Sequence, residues 1–209
     1  MLNSIIVRIF LTISFFFFGY NLVYIILLKK RNRLNEKNNE VDNRLKETRL
    51  FARIGIIIIN IFITLCCLNI FFYNYWKQIF PTINFLILSD LIQVIGITLI
   101  ISGNIVLLIA YRKLGIYWSY PMDGLKKRKL ITSGIYSRIR HPIYLSFNLF
   151  CIGYNMLLLD WLLLILYIIG GIGLYLQAID EEKILIEYFG EEYIEYMKNT
   201  GRFFAKIFN

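Results

Sequence analysis

The sequence predicts an all-α membrane protein with about five transmembrane helices, a cytoplasmic loop and an amphipathic C-terminal helical tail. Three observations lead there. Of the 209 residues, 58% are hydrophobic, against roughly 45–50% in an ordinary soluble domain. They collect into runs close to the roughly 20 residues that a helix needs to cross the hydrocarbon core. The segments between the runs alternate between strongly basic and nearly uncharged.

The first run, Ser4 to Leu28, holds Phe15-Phe16-Phe17-Phe18 and one charge, Arg8, placed where a long side chain can snorkel. It lacks the basic start and small-residue cleavage site of a signal peptide, so a retained helix is expected. The second, Leu50 to Trp76, ends in an aromatic cluster suited to the headgroup level. Pro81 marks a turn. The third, Ile83 to Tyr111, carries Asp90 and Gln93 near its outer end. An ionisable residue within a span is a functional candidate by default, although Asp90 is also placed to reach water or Lys77. The fourth, Ile143 to Leu159, is separated from the fifth, Trp161 to Ile179, only by Asp160, which implies an antiparallel hairpin. Gly170, Gly171 and Gly173 would let a second helix or a ligand approach the fifth helix closely.

Lysine and arginine orient the chain. Residues 29–49 hold eight basic residues and residues 112–140 another eight, while the 77–82 connection has only Lys77. Both basic loops are expected in the cytoplasm, with the N-terminus outside, the tail inside and a prokaryotic plasma membrane as the location. The net charge of +9 is then a topology signal that also favours anionic membrane lipids. Nucleic acid is excluded as a partner, because no basic platform with stacking aromatics is present. Cys66, Cys67 and Cys151 lie in apolar runs without metal-ligand spacing, so no metal site is expected. The chain divides into a three-helix portion, 1–111, and a C-terminal core, 112–209, made of loop, hairpin 142–179 and tail.

Chemistry concentrates in that core. The loop ends Leu130-Ile131-Thr132-Ser133-Gly134-Ile135-Tyr136, followed by Arg140-His141-Pro142-Ile143-Tyr144. His141 is the only histidine, and Pro142 suits the first turn of a helix. A helix start facing the cytosol suits a carboxylate or phosphate; an Arg-His pair anchored in the headgroups is the alternative. In the tail, Asp180-Glu181-Glu182 precede Leu185, Tyr188, Phe189, Tyr193 and Tyr196 at helical spacing, a pattern that predicts an amphipathic helix or helix pair broken near Gly190. Its seven acidic residues oppose the basic loop, so electrostatic docking of tail on loop would close a pocket at the membrane surface. Glu181, close in depth to His141, can receive a cationic or hydroxyl-bearing ligand.

These segments, together with Phe189-Gly190-Glu191-Glu192-Tyr193-Ile194-Glu195-Tyr196, resemble the isoprenylcysteine carboxyl methyltransferase family, itself related to phospholipid N-methyltransferases. Order and spacing agree over roughly residues 110–205. The resemblance implies S-adenosyl-L-methionine as cofactor, with Leu130, Ile131, Tyr136, His141, Pro142, Tyr144 and Glu181 in contact with it. It also implies His141, Tyr144 and Arg140 as catalytic residues, and Gln177 and Glu182 on the side of a lipophilic, lipid or prenylated substrate. Three positions depart from the family pattern. Gln177 replaces an arginine that serves the substrate carboxylate, Thr200-Gly201-Arg202 replaces Val-Pro-Arg, and Ser146 replaces a glycine.

The function expected is methyl transfer to a lipophilic acceptor that enters between helices. A carboxylate acceptor needs no general base, whereas a thiol or amine would turn to Tyr136, Tyr144 or Glu181. The alternatives are a non-catalytic membrane module that keeps the fold, and an NADPH-dependent sterol-reductase-like enzyme.

Overall fold

The computed structural model describes residues 4–34, 48–79, 89–114 and 130–206, and every regular element among them is helical. The order is α1 (Ser4–Leu34), α2 (Thr48–Phe71), α3 (Tyr73–Ile79), α4 (Ser89–Leu114), a 3-10 turn (Gly134–Ser137), α5 (Pro142–Leu158), α6 (Trp161–Phe189) and α7 (Glu191–Asn199). Long helices therefore stand at all five predicted runs, but several ends differ. The second run breaks at Phe72, and its aromatic end, including Trp76, forms the separate short helix α3. The third begins its described course at Ser89, so Asp90 lies exposed in a first turn, where the helix dipole favours a carboxylate. The fifth does not stop at Ile179 but runs unbroken to Phe189, because no breaker precedes Gly190, whose φ is +56°. The Pro81 turn, the Lys77 side chain and most of both basic loops (35–47 and 115–129) lie outside the described residues.

By length and composition, α4 from Asp90 onward and α6 are able to cross a membrane; Ile6–Tyr20 and Pro142–Leu158 are shorter apolar helical stretches. The 29 residues of α6 rise about 43 Å at 1.5 Å each. That exceeds the roughly 30 Å hydrocarbon core.

Side chains from α1, α2, α4, α5 and α6 share one core, including Leu11, Phe18, Cys66, Ile100, Leu107, Phe150, Tyr154 and Leu163. Its tightest contact joins α4 to α5, antiparallel. Small residues seven apart on each helix, two turns along one face, are matched across the crossing: Gly96 against Gly153, Gly103 against Ser146. A Cβ on Gly153 would lie 2.6 Å from the Gly96 carbonyl oxygen, and one on Gly103 2.9 Å from that of Ser146. Backbones approach this closely only where side chains are absent or small. The predicted glycines of α6 behave differently: a Cβ at Gly170 would press on Ile58, Gly171 has ordinary room, and Gly173 meets nothing within 4 Å.

The ends of the bundle differ in chemistry. At one, Arg8 lies over the Tyr73 ring at 5.6 Å. Beside it Asp160, 2% exposed, caps α6 by accepting the Leu163 N–H at 3.0 Å and accepts the Trp76 indole N–H at 2.5 Å. The connection from α5 is made by Leu159 in the left-handed region (φ +53°), at a cost of about 1–2 kcal/mol for a non-glycine residue. The other end gathers His141, Glu181 and Glu182. Three free cysteines complete the picture, without a disulfide.

Gly153→Ala should lower stability in detergent by about 1–3 kcal/mol, the usual cost of overpacking. Gly173→Ala should raise it by up to about 1 kcal/mol through helix propensity. Thermal unfolding of the two variants side by side checks the assignment.

Candidate active site

The site is built around the entry to α5. Gly134, at φ +67°, turns the chain into the 3-10 turn that buries Tyr136. Residues 138–141 then pass through a turn and a bend until Pro142 opens α5 at its first position, where its missing N–H is no loss. The stretch after α7 folds back alongside as a strap. Ile139 and Gly201 form an isolated parallel bridge. The N–H groups of Arg140 and His141 donate to the carbonyls of Gly201 and Arg202, both at 2.9 Å, and Gly201 N–H donates to the Arg138 carbonyl at 3.0 Å. The two amides ahead of the helix are therefore already taken by protein, which removes them from any anion site at this helix start.

Glu182 ties the strap to the hairpin. Its carboxylate, 3% exposed, accepts Arg140 Nε–H at 2.8 Å and Arg202 Nη2–H at 2.7 Å. Arg140 also donates through Nη1 to the carbonyls of Thr200 and Met197 (3.2 Å for the latter). The predicted docking of tail on loop is thus present but differently made. Backbone pairing and one α6 carboxylate hold it, while the tail acids Glu191, Glu192 and Glu195 point to solvent. Glu182 in turn strengthens the hold of Arg202 on its proton.

Next to this knot lie the remaining polar groups. His141, 7% exposed, has Nδ1 3.7 Å from Glu181 and Nε2 3.3 Å from Glu182. It stacks on Tyr144 with ring centroids 5.3 Å apart. Tyr144 donates its hydroxyl to Glu181 at 3.0 Å. Tyr196 of α7 donates to the Tyr136 carbonyl at 2.6 Å. Burial pushes the Tyr136 phenol well above its usual range, with the charge of Glu181 adding to the effect. Burial likewise raises Tyr193, and takes Tyr196 up to about 12. These phenols stay protonated and are poor bases.

Two buried polar atoms here lack a hydrogen-bond partner among the described residues: the Tyr136 hydroxyl and His141 Nε2, whose 3.3 Å approach to Glu182 misses hydrogen-bond geometry. A buried orphan costs about 1–3 kcal/mol, so both atoms are suited to a polar ligand. Of the sequence-predicted residues, Arg140, His141, Tyr144, Glu181 and Glu182 come together by direct contact, with Tyr136 and Pro142 buried beside them. Leu130 and Ile131 are half-buried ahead of the 3-10 turn, and Gln177 is buried on α6 one turn before Glu181. Sequence reasoning missed the use made of Thr200-Gly201-Arg202, which stood out only as a departure. Each of the three has a function in the strap, and a Cβ on Gly201 would run into the Phe204 carbonyl. It also missed Phe203, whose ring lies edge-on to His141 at 6.2 Å.

The fold and the site together define a helical protein of membrane type whose polar and ionised residues are gathered at one end of an apolar bundle. Residues 94–187 match the isoprenylcysteine carboxyl methyltransferase family, from the second turn of α4 to the last turn of α6, so the motif resemblance holds across the α4–α5–α6 core. The chain is 37% identical over 116 residues to the protein-S-isoprenylcysteine O-methyltransferase of Saccharomyces cerevisiae, covering 54% of this chain and 48% of that protein. Its likeness to the protein of that name from Xenopus laevis is 34% over 120 residues, 55% of this chain and 42% of the other. With the Homo sapiens protein of that name it is 30% over 120 residues, with the same coverage. The matches thus span a little under half the length of these relatives.

Glu182→Gln leaves the buried Arg140 guanidinium and the partly exposed Arg202 guanidinium facing a neutral amide. The variant should lose about 3–5 kcal/mol, the usual cost of breaking a buried ion pair. Limited trypsin digestion should cut after Arg202 in the variant while the wild-type strap resists.

Proposed function

We propose that this chain transfers the methyl group of S-adenosyl-L-methionine to a lipophilic acceptor at a membrane surface, an isoprenylcysteine-like carboxylate being the acceptor that the relatives' names suggest. One observation carries the reading. The Arg140-His141-Pro142-Ile143-Tyr144 motif and the Glu181-Glu182 pair converge on one site, beside a buried Tyr136 Oη that has no hydrogen-bond partner among the described residues and a His141 Nε2 held only by its 3.3 Å approach to Glu182. The cofactor's sulfonium would supply an already activated methyl carbon.

The residues divide by role. Glu181, with Tyr144, would meet the cofactor's cationic or hydroxyl groups; His141 and Tyr136 would donate to or accept from it; Leu130, Ile131 and Pro142 would line it. Arg140 and Glu182 position this set by holding the strap, and Gln177 faces the acceptor side. The protonated Tyr136 phenol fits a carboxylate acceptor, which requires no proton removal. Catalysis then rests on alignment in a site screened from water.

We assign five membrane crossings to α1, α2, α4, α5 and α6, with the site end in the cytoplasm. Support comes from the basic residues Arg112, Lys113, Arg138 and Arg140 at that end and from the positive-inside rule. About 20 residues of α6 from Trp161 fill the hydrocarbon, which leaves Glu181 and Glu182 at its surface. The first two spans, α1 and α2, serve as scaffold, and α4 leads into the core that follows.

Purified protein in detergent should bind tritiated S-adenosyl-L-methionine saturably. Glu181→Gln should weaken that binding by about 1.5–3 kcal/mol, the worth of a hydrogen bond to a charged group, without moving the far-ultraviolet circular dichroism. Absence of saturable binding to the wild type contradicts the reading and leaves the non-catalytic module in its place.

A further inference from the structure

Between α5 and α6 lie two apolar spaces that the site chemistry does not use. An outer groove of about 410 Å³ runs along Leu145, Ile152, Ile168 and Ile172 and reaches Phe203 of the strap. Ile168 and Ile172 are exposed on the lipid side of the helix. An inner, partly open chamber of about 160 Å³ lies among α1, α2, α5 and α6 and is walled by Phe15, Phe18, Ile58, Phe62 and Leu174. Three residues line both spaces: Asn148, Tyr167 and Gly171. The Tyr167 hydroxyl donates to Asn148 Oδ1 at 3.3 Å, and Asn148 Nδ2 donates to the Tyr144 carbonyl at 2.8 Å. Gly171 completes the divide; a Cβ there would sit 3.7 Å from Asn148 Oδ1 and 3.9 Å from the Tyr167 ring.

We propose that the Asn148–Tyr167 pair is a gate between the two spaces, and that its opening sets how long a hydrocarbon chain the acceptor brings. The inference rests on the reading of the acceptor as lipophilic. The occupant is the acceptor's own chain, because the outer groove abuts the site through two of its lining residues. Phe203 lines the groove while contacting the His141 ring, and Asn148 hangs from the backbone of Tyr144, which holds Glu181. Size supports a length rule. An apolar cavity of about 150 Å³ stays dry and takes one benzene. On that scale the inner chamber holds about six carbons and the outer groove about fifteen. A short chain ends in the groove, while a longer one must pass Tyr167. The gate bond is long and has one donor, so it yields to a chain tip pressing on it, whereas an all-carbon wall would have no comparable switch. Gly171 keeps the passage wide enough for a methylene, since most other side chains there would reach into it.

The test uses the full chain in nanodiscs with N-acetyl-S-alkylcysteines that carry a diazirine at the chain tip, one chain short enough for the groove and one longer than it. After irradiation, labelled residues are mapped by mass spectrometry, with unlabelled S-decylcysteine as competitor. The short probe should mark the surroundings of Ile168 and Ile172. The long probe should also mark Phe18 and Leu174. Tyr167→Phe keeps the ring and removes the bond, and should raise the inner share of long-probe label about fivefold, the population effect of one ordinary hydrogen bond. Gly171→Leu should abolish inner labelling and leave outer labelling in place. The gate is overturned if both probes label the same residues, if neither variant moves the distribution, or if the competitor fails to reduce labelling, which would assign the spaces to bulk lipid. Partitioned labels without any methyl transfer retire the transfer reading alone; transfer with unpartitioned labels retires the gate alone.

Discussion

A single carboxylate, Glu182, holds the functional end of this molecule together. It sits on α6, just past the point where the helix has risen far enough to cross a bilayer, and accepts from Arg140 ahead of α5 and Arg202 in the strap. Removing charges from water costs several kcal/mol per ion. The arrangement is stable because the partners are hydrogen-bonded at good distance and because Arg140 Nη1 also donates to the carbonyls of Met197 in α7 and Thr200 in the strap. With the knot closed, residues 138–141 gain a neighbour to pair with, His141 is fixed between two acids, and Phe203 is brought to the mouth of the groove. With it open, each of those placements loses its cause.

The rest of the bundle depends on different physics. Small residues close α4 on α5 along its length, Gly96 and Gly103 against Gly153 and Ser146, and at the far end Asp160 is shared between the start of α6 and the Trp76 indole. The α4–α5 contact is close enough to fix where α5 begins, while α6 leans along α2 instead. Apolar space therefore opens between α5 and α6, next to the polar site and facing lipid. The transfer proposed for this chain, from a water-soluble cofactor to a lipophilic acceptor, would require both surfaces within reach of one reacting centre.

Much of this was legible in the amino-acid sequence. Run lengths located the five long helices, the glycine at 190 located the break between α6 and α7, and Pro142 located the start of α5. The motif residues Arg140, His141, Tyr144, Glu181 and Glu182 were all identified before their contacts were known. Three things were not read. The spacing of seven between Gly96 and Gly103, repeated by Ser146 and Gly153, is a visible signal of a helix face, but in the sequence the denser glycines of α6 outweigh it. The continuation of α6 to Phe189 was also visible, since Asp180-Glu181-Glu182 breaks hydropathy but not helix. The strap was not visible at all. Backbone pairing between residues 62 positions apart, Ile139 and Gly201, leaves no periodicity, and Thr200-Gly201-Arg202 carries no meaning until Glu182 is known to face it.

Amide hydrogen exchange at Arg140, His141 and Gly201 tests the central role of Glu182 most directly. In the wild type these three amides should be strongly protected, although they lie outside any helix, and in Glu182→Gln their protection should fall together toward that of an open loop. Exchange in the wild type at open-chain rates, or protection that survives the substitution unchanged, would contradict the account.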